Sequence, residues 1–214
     1  MAIAILEVLT QHGSVEQDAL AAAFARRFEA DMERGYGPMA YSIGAYFADH
    51  LAEAARQAQL SAVITHAHPD GQAGAIAVVV AAASAHASRQ KGSAAGDAAV
   101  ELFAHVLAHT PDGPTREGIM RAAQLGPADA AAAAVALGDG TLVRSGDTVP
   151  LSLWCAARHL DDYEAALFTA LDACREPAAD RDTVCAIVGS IVVLFAGLES
   201  IPARWLESRE RLSV

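Results

Sequence analysis

Ala73-Gly74-Ala75-Ile76-Ala77-Val78-Val79-Val80-Ala81-Ala82-Ala83-Ser84-Ala85 is the stretch that decides the fold. Alanine is the strongest helix former and lacks the branched bulk that packs a pleated sheet, so this run reads as helix. Small residues fall on nearly every face of that helix, about Asp70 to Ser88, which predicts a central element closely packed by its neighbours. The run stops at His86 and falls short of the roughly 20 apolar residues a membrane span requires.

The same composition extends outward in both directions. Hydrophobic residues make up 53% of the 214 positions, dominated by Ala, while Gly and Pro stand mostly between segments. An all-α domain covering 1–214 follows. A net charge of −11, with Lys91 the single lysine, argues against binding nucleic acid through its phosphate backbone. No basic segment followed by an apolar core and a cleavage site opens the chain, so a cytoplasmic protein is expected. Cys155, Cys174 and Cys185 lie in apolar surroundings and read as free buried thiols.

Helices are predicted over 2–12, from Ser14 to about Glu33, from Asp49 towards Thr65, and over 97–109, 114–125, 127–137, 149–159, 161–175 and 182–196. A short turn closes the set at 201–206. Ser14-Val15-Glu16-Gln17 has the capping-box pattern, and Asp49 and Asp161-Asp162 are cap candidates. Arg34-Gly35-Tyr36-Gly37-Pro38 is a break, Ser42 to Phe47 a short ambiguous segment, and Lys91 to Gly96 a flexible link. Pro69 suits a first helical position.

Three constellations carry chemistry. Asp180-Arg181-Asp182-Thr183 precedes the apolar run 184–189 and groups hard oxygen donors of the kind Mg²⁺ and Ca²⁺ take. Acidic residues there also stabilise a helix N-terminus, and spacing alone favours that capping role. Thr65-His66-Ala67-His68-Pro69 sets two histidines two apart without the further ligands zinc requires, so packing and capping are favoured over metal binding. Gly138-Asp139-Gly140 is either a plain turn or a backbone approach to a phosphate or ribose. Asp147-Thr148-Val149-Pro150 reads as the start of a helix. His86, His105, His109 and His159 follow no pattern.

In this order and spacing the pieces resemble the ADP-ribosylglycohydrolase family, which includes dinitrogenase reductase-activating glycohydrolases, ADP-ribosylarginine hydrolases and J1 crystallins. Matching stretches are Arg34-Gly35-Tyr36-Gly37, Ile43 to Phe47, Ser61 to Pro69 with Gly74-Ala75, Leu137 to Gly140, Asp147 to Pro150 and Asp180 to Thr183. The resemblance implies an orthogonal multi-helix bundle with a two-metal Mg²⁺ (or Mn²⁺) site. It also implies hydrolysis of the glycosidic bond between ADP-ribose and a protein side chain or small acceptor. By motif match, Asp180, Asp182 and Thr183 are the C-terminal metal ligands, His66 faces the bound ADP-ribose, and Gly138 and Gly140 belong to the loop that approaches it. Asp139 stands where Asn is common. No catalytic residue is assigned.

The family's other ligands lie in a Thr-Asp-Asp-Thr motif before a helix that Met1 to Leu6 resembles, and its Gly-Asn-Gly substrate loop is shortened between Gly37 and Met39. The expectation is a truncated, internally shortened bundle lacking the first helices, with at most one weakly held Mg²⁺. Exposed apolar surface on the N-terminal helix would then favour self-association. The other function class consistent with these features is a non-catalytic ADP-ribose-binding or structural, crystallin-like module.

Overall fold

A computed structural model describes residues 2–30, 41–126 and 128–208 of the chain. In order the helices are α1 (Ala2–His12), α2 (Gln17–Ala30), α3 (Tyr41–Tyr46), α4 (Leu51–Val63), α5 (Pro69–Lys91), α6 (Ala95–His109), α7 (Pro114–Gln124), α8 (Ala130–Leu137), α9 (Ser145–Arg158), α10 (Tyr163–Ala173), α11 (Arg181–Ala196) and α12 (Ala203–Ser208). A 3₁₀ turn, Leu198–Ser200, separates the last two. Among the described residues there is no strand.

The Ala-Val run forms the middle of α5, and every residue from Ile76 to Ala85 is buried. Helices α3, α4, α6, α7, α9 and α11 all pack on it. Its small side chains let the neighbouring backbones come close. A Cβ added at Gly74 would stand 2.4 Å from the Cβ of Ser145 on α9. The helix is 23 residues long, longer than predicted, and by length and composition it would suit a membrane. Most of its apolar surface is instead enclosed by the surrounding helices.

Local signals place several helix ends. The His68 ring accepts the Asp70 amide at 3.1 Å with Pro69 at the first helical position, so His68 caps α5, as its sequence context favoured. Asp162 caps α10 through the Ala165 amide at 2.9 Å. Asp129 does the same for α8 at 2.8 Å.

Other expected caps yield to tertiary partners. The capping box at Ser14 does not form. The Val15 amide donates to Gln57 Oε1 at 2.6 Å and Gln17 Nε2 donates to the Leu60 carbonyl at 3.1 Å, both on α4. The first helical bond of α2 consequently runs from Leu20 to Glu16. Asp49 is not the cap of α4: His50 takes that position and its carbonyl accepts the Ala54 amide at 2.9 Å. Helix α9 starts at Ser145, four residues ahead of Val149, because the Asp147 and Thr148 amides both bond back to the Arg144 carbonyl. The link between α5 and α6 shrinks to 92–94, with Gly92 in the left-handed conformation at φ 68°.

Ala4, Ile5, Val8 and Leu9 of α1 are buried, and α1 packs on α2 and α3. The apolar face expected to be open is thus largely covered, with Leu6 left 51% exposed. The shortened loop at Gly37–Met39 and the break at Arg34–Pro38 lie outside the described residues, as do 31–33 at the predicted end of α2. Cys155 and Cys174 are buried and Cys185 half-buried, all as free thiols. Burial pushes the Cys155 thiol up to about 12 and that of Cys174 up to about 11.

Candidate functional site

The N-terminal turns of α5, α7, α9 and α11 converge on an open cleft of about 1020 Å³. Helix N-termini carry partial positive charge and favour anions, so this end of a strongly acidic chain is electrostatically unlike the rest. The end of α8 and the loop that follows it close another side.

One residue, Asp70, organises three of the four turns through its carboxylate and its carbonyl. Asp70 Oδ1 accepts both the Thr115 amide at 3.1 Å and the Thr115 hydroxyl at 2.7 Å, from the start of α7. Ser145, opening α9, donates its hydroxyl to the Asp70 carbonyl at 2.6 Å. The Thr115 side is fully buried, so these bonds form away from water and hold the helix starts in fixed relation. Sequence reasoning missed this node. Asp70 reads locally as an ordinary first-turn acid, and its partners lie 45 and 75 positions away.

The fourth turn belongs to α11. Asp180 caps it, its Oδ1 accepting the Thr183 amide at 3.2 Å, while the Asp180 amide donates to the Asp139 carbonyl at 3.0 Å. Asp180 and Thr183 both line the cleft. Asp182 is exposed, lies outside the lining and makes no hydrogen bond or ion pair among the described residues.

The loop over 138–144 braces this turn. Gly138 and Gly140 have φ of 96° and 86°, which residues with a Cβ rarely adopt. A Cβ on Gly140 would stand 2.5 Å from the Cβ of Asp180, so this glycine makes room for the capping residue from behind and does not itself line the cleft. Gly138 does line it, pressed against Asp147. Asp147 Oδ2 accepts the Leu142 amide at 2.7 Å and its carbonyl accepts the Gly140 amide at 3.2 Å. Asp139 Oδ1 takes the Thr141 amide and hydroxyl at 3.1 and 2.6 Å. The amides of Gly138, Gly140, Thr141, Leu142 and Val143 are all satisfied internally, so this stretch is a braced turn. Val143, 86% exposed, holds φ 53°, a strained conformation for a β-branched residue. With Leu142 and Val135 it forms an apolar wall of the cleft.

His66 stands across this space. Its Nδ1 pairs with the Thr65 hydroxyl at 2.8 Å, its carbonyl accepts Gln72 Nε2 at 3.0 Å, and its ring lies against Gly71. Its Nε2 has no partner among the described residues. The cleft therefore gathers His66, Gly138, Asp180 and Thr183, and leaves Gly140 behind it and Asp182 at the surface.

The donor set at α11 is all oxygen and matches the preference of Mg²⁺ or Mn²⁺. Asp180 and Thr183 suit one side of such an ion. They do not complete a pair, since ions about 3.5–4 Å apart need several carboxylates between them. Among the described residues no group of three or more His, Cys, Asp or Glu is arranged to hold a metal.

A search of curated proteins finds no match to the chain. A family profile described as ADP-ribosylglycohydrolase matches residues 37–213, which takes in every residue lining the cleft. With an all-helical architecture and that match over most of its length, the chain belongs to the ADP-ribosylglycohydrolase family.

Proposed function

We propose that the cleft binds an ADP-ribosyl compound and that the protein acts as a hydrolase of the glycosidic bond between ADP-ribose and a side chain or small acceptor. The observation that carries this reading is the gathering of His66, Gly138, Asp180 and Thr183, from three separate stretches, in one cleft at the positive ends of four helices. The diphosphate favours that end electrostatically. The open Nε2 of His66 is suited to a ribose or phosphate oxygen, and the wall of Val135, Leu142 and Val143 to an apolar ring face.

When bound, Mg²⁺ or Mn²⁺ orients ribose hydroxyls and activates water. Asp180 and Thr183 would hold one side of it, with Asp182 contributing from the adjacent surface. On Asp180, Oδ2 would be the oxygen left for it, because Oδ1 holds the helix cap. Gly140 keeps Asp180 in place, and the Asp70 node keeps the walls apart.

Calorimetry with ADP-ribose, with and without Mg²⁺, alongside a hydrolysis assay on ADP-ribosylated arginine, tests the proposal. Turnover lost in Asp180→Ala is the expected result. A protein that binds no ADP-ribose and shows no turnover sinks it. A second reading, a non-catalytic ADP-ribose-binding or crystallin-like module, draws on the small donor set at α11. Tight binding without turnover under saturating Mg²⁺ would select it.

A further inference from the structure

Two arginines stand apart from the rest. Every other arginine among the described residues is engaged: Arg26 and Arg27 on Glu7, Arg56 on Glu53, Arg89 on Glu199, Arg116 on Asp112, Arg175 on Asp172 and Arg204 on Glu164. Arg158 lies over the Trp154 ring and Arg181 donates to the Cys174 carbonyl. The guanidinium groups of Arg121 and Arg144 alone make no ion pair, hydrogen bond or ring contact among the described residues. Both line the cleft.

Chance distribution of surface cations does not favour this. The chain carries 26 acidic residues against 15 Lys and Arg, so an arginine without any partner is the exception here. Three carboxylates lining the same cleft already accept hydrogen bonds: Asp70 from Thr115, Asp147 from Leu142 and Asp180 from Thr183. Glu117, one turn before Arg121 on α7, lines the same cleft yet forms no ion pair with it. Apart from that of Asp139, the amides of the 138–143 loop are satisfied internally. Beside the helix N-termini, side chains are the groups that meet negative charge in the cleft, and guanidinium forks match phosphate oxygens in geometry as well as charge.

Resting on the reading of the cleft as an ADP-ribosyl site, we infer that Arg121 and Arg144 are its specificity-determining cations. They select ligands carrying a diphosphate over uncharged nucleosides or ribosides. They come from separate elements, the last turn of α7 and the residue preceding α9, so their joint engagement also clamps the two walls on a bound ligand.

The test is calorimetry on the full chain in Mg²⁺ buffer, with ADP-ribose, pyrophosphate and adenosine as titrants, for wild type, Arg121→Gln, Arg144→Gln and the double variant. Each substitution is expected to weaken ADP-ribose and pyrophosphate roughly tenfold and to flatten the salt dependence of binding, with adenosine unaffected. Both side chains are exposed, so an unchanged thermal midpoint verifies that each variant is folded, and Arg→Lys variants recover part of the affinity. ADP-ribose binding that is equal in wild type and the double variant overturns the inference and leaves the cleft reading intact. Arginine-dependent pyrophosphate binding without ADP-ribose binding supports the anion role and refutes the ADP-ribosyl reading. Absence of binding to either anion overturns both.

Discussion

At the scale of single residues the site depends on backbone that only particular side chains tolerate. Gly140 combines φ 86° with a Cβ position 2.5 Å from Asp180. Gly140→Ala is expected to cost about 2–4 kcal/mol, from left-handed strain and overpacking together, and to weaken any Mg²⁺-dependent gain in stability by displacing Asp180. Urea unfolding with and without Mg²⁺ measures both effects. Val143 is the opposite case, a β-branched residue at φ 53° with its side chain in solvent. Val143→Asn should raise stability by roughly 1 kcal/mol, because Asn accepts that conformation more readily. The same substitution should lower affinity for an ADP-ribosyl ligand if Val143 contributes to the apolar wall. A higher urea midpoint with weaker binding is the predicted pair of readings.

At the scale of elements, helix starts matter more than helix middles. Helices α5, α7 and α9 meet at Asp70, which ties the first turns together through Thr115 and Ser145. Asp70→Ala leaves the Thr115 amide without its acceptor and the buried Thr115 hydroxyl with Ser145 Oγ in place of a carboxylate, at a cost of about 2–3 kcal/mol. Because those turns form three sides of the cleft, ligand affinity should fall by more than an equally destabilising change elsewhere. Thermal unfolding and ADP-ribose titration of Asp70→Ala, set beside a core variant of matched stability away from the cleft such as Val106→Ala, check this. Loss of stability with unchanged affinity would restrict Asp70 to a structural part. The caps at His68, Asp162 and Asp180 were legible from sequence because a cap bonds within three residues of itself. Ser14 was misread because its helix start competes with Gln57 and Leu60 of another helix, which local pattern does not show.

At the scale of the whole molecule, the pH response follows from half-buried histidines. Burial, reinforced in His159 by the neighbouring Arg158, holds His105 and His159 below the ordinary imidazole value of 6.5. His105 also pairs through Nδ1 with the buried Ser84 hydroxyl at 2.9 Å, joining α6 to α5. The unfolded chain therefore binds protons first as pH falls, so stability is fully present above about 6.5, declines below it, and levels off once the folded-state values are passed. Urea midpoints between pH 7.5 and pH 5 should fall, and His105→Gln should make that fall shallower. A wild-type midpoint independent of pH over that interval would contradict the assignment.

What the sequence by itself determined is the helical class, the central place of the Ala-Val run and the helix cap at Asp180. These rest on intrinsic propensity and on patterns a few residues long, both of which are local. Only the tertiary structure decided that Asp180, Thr183, His66 and Gly138 share a cleft while Asp182 stays at the surface, and that Asp70 holds that cleft in shape. It also decided that Arg121 and Arg144 alone among the described arginines remain unpartnered, since an ion pair depends on which acidic residue the fold brings within reach. The physical reason is common to all of these. They are contacts across tens of residues, closed by the burial of α5 among its neighbours, and no short stretch of chain encodes the approach of two helices that meet on a third.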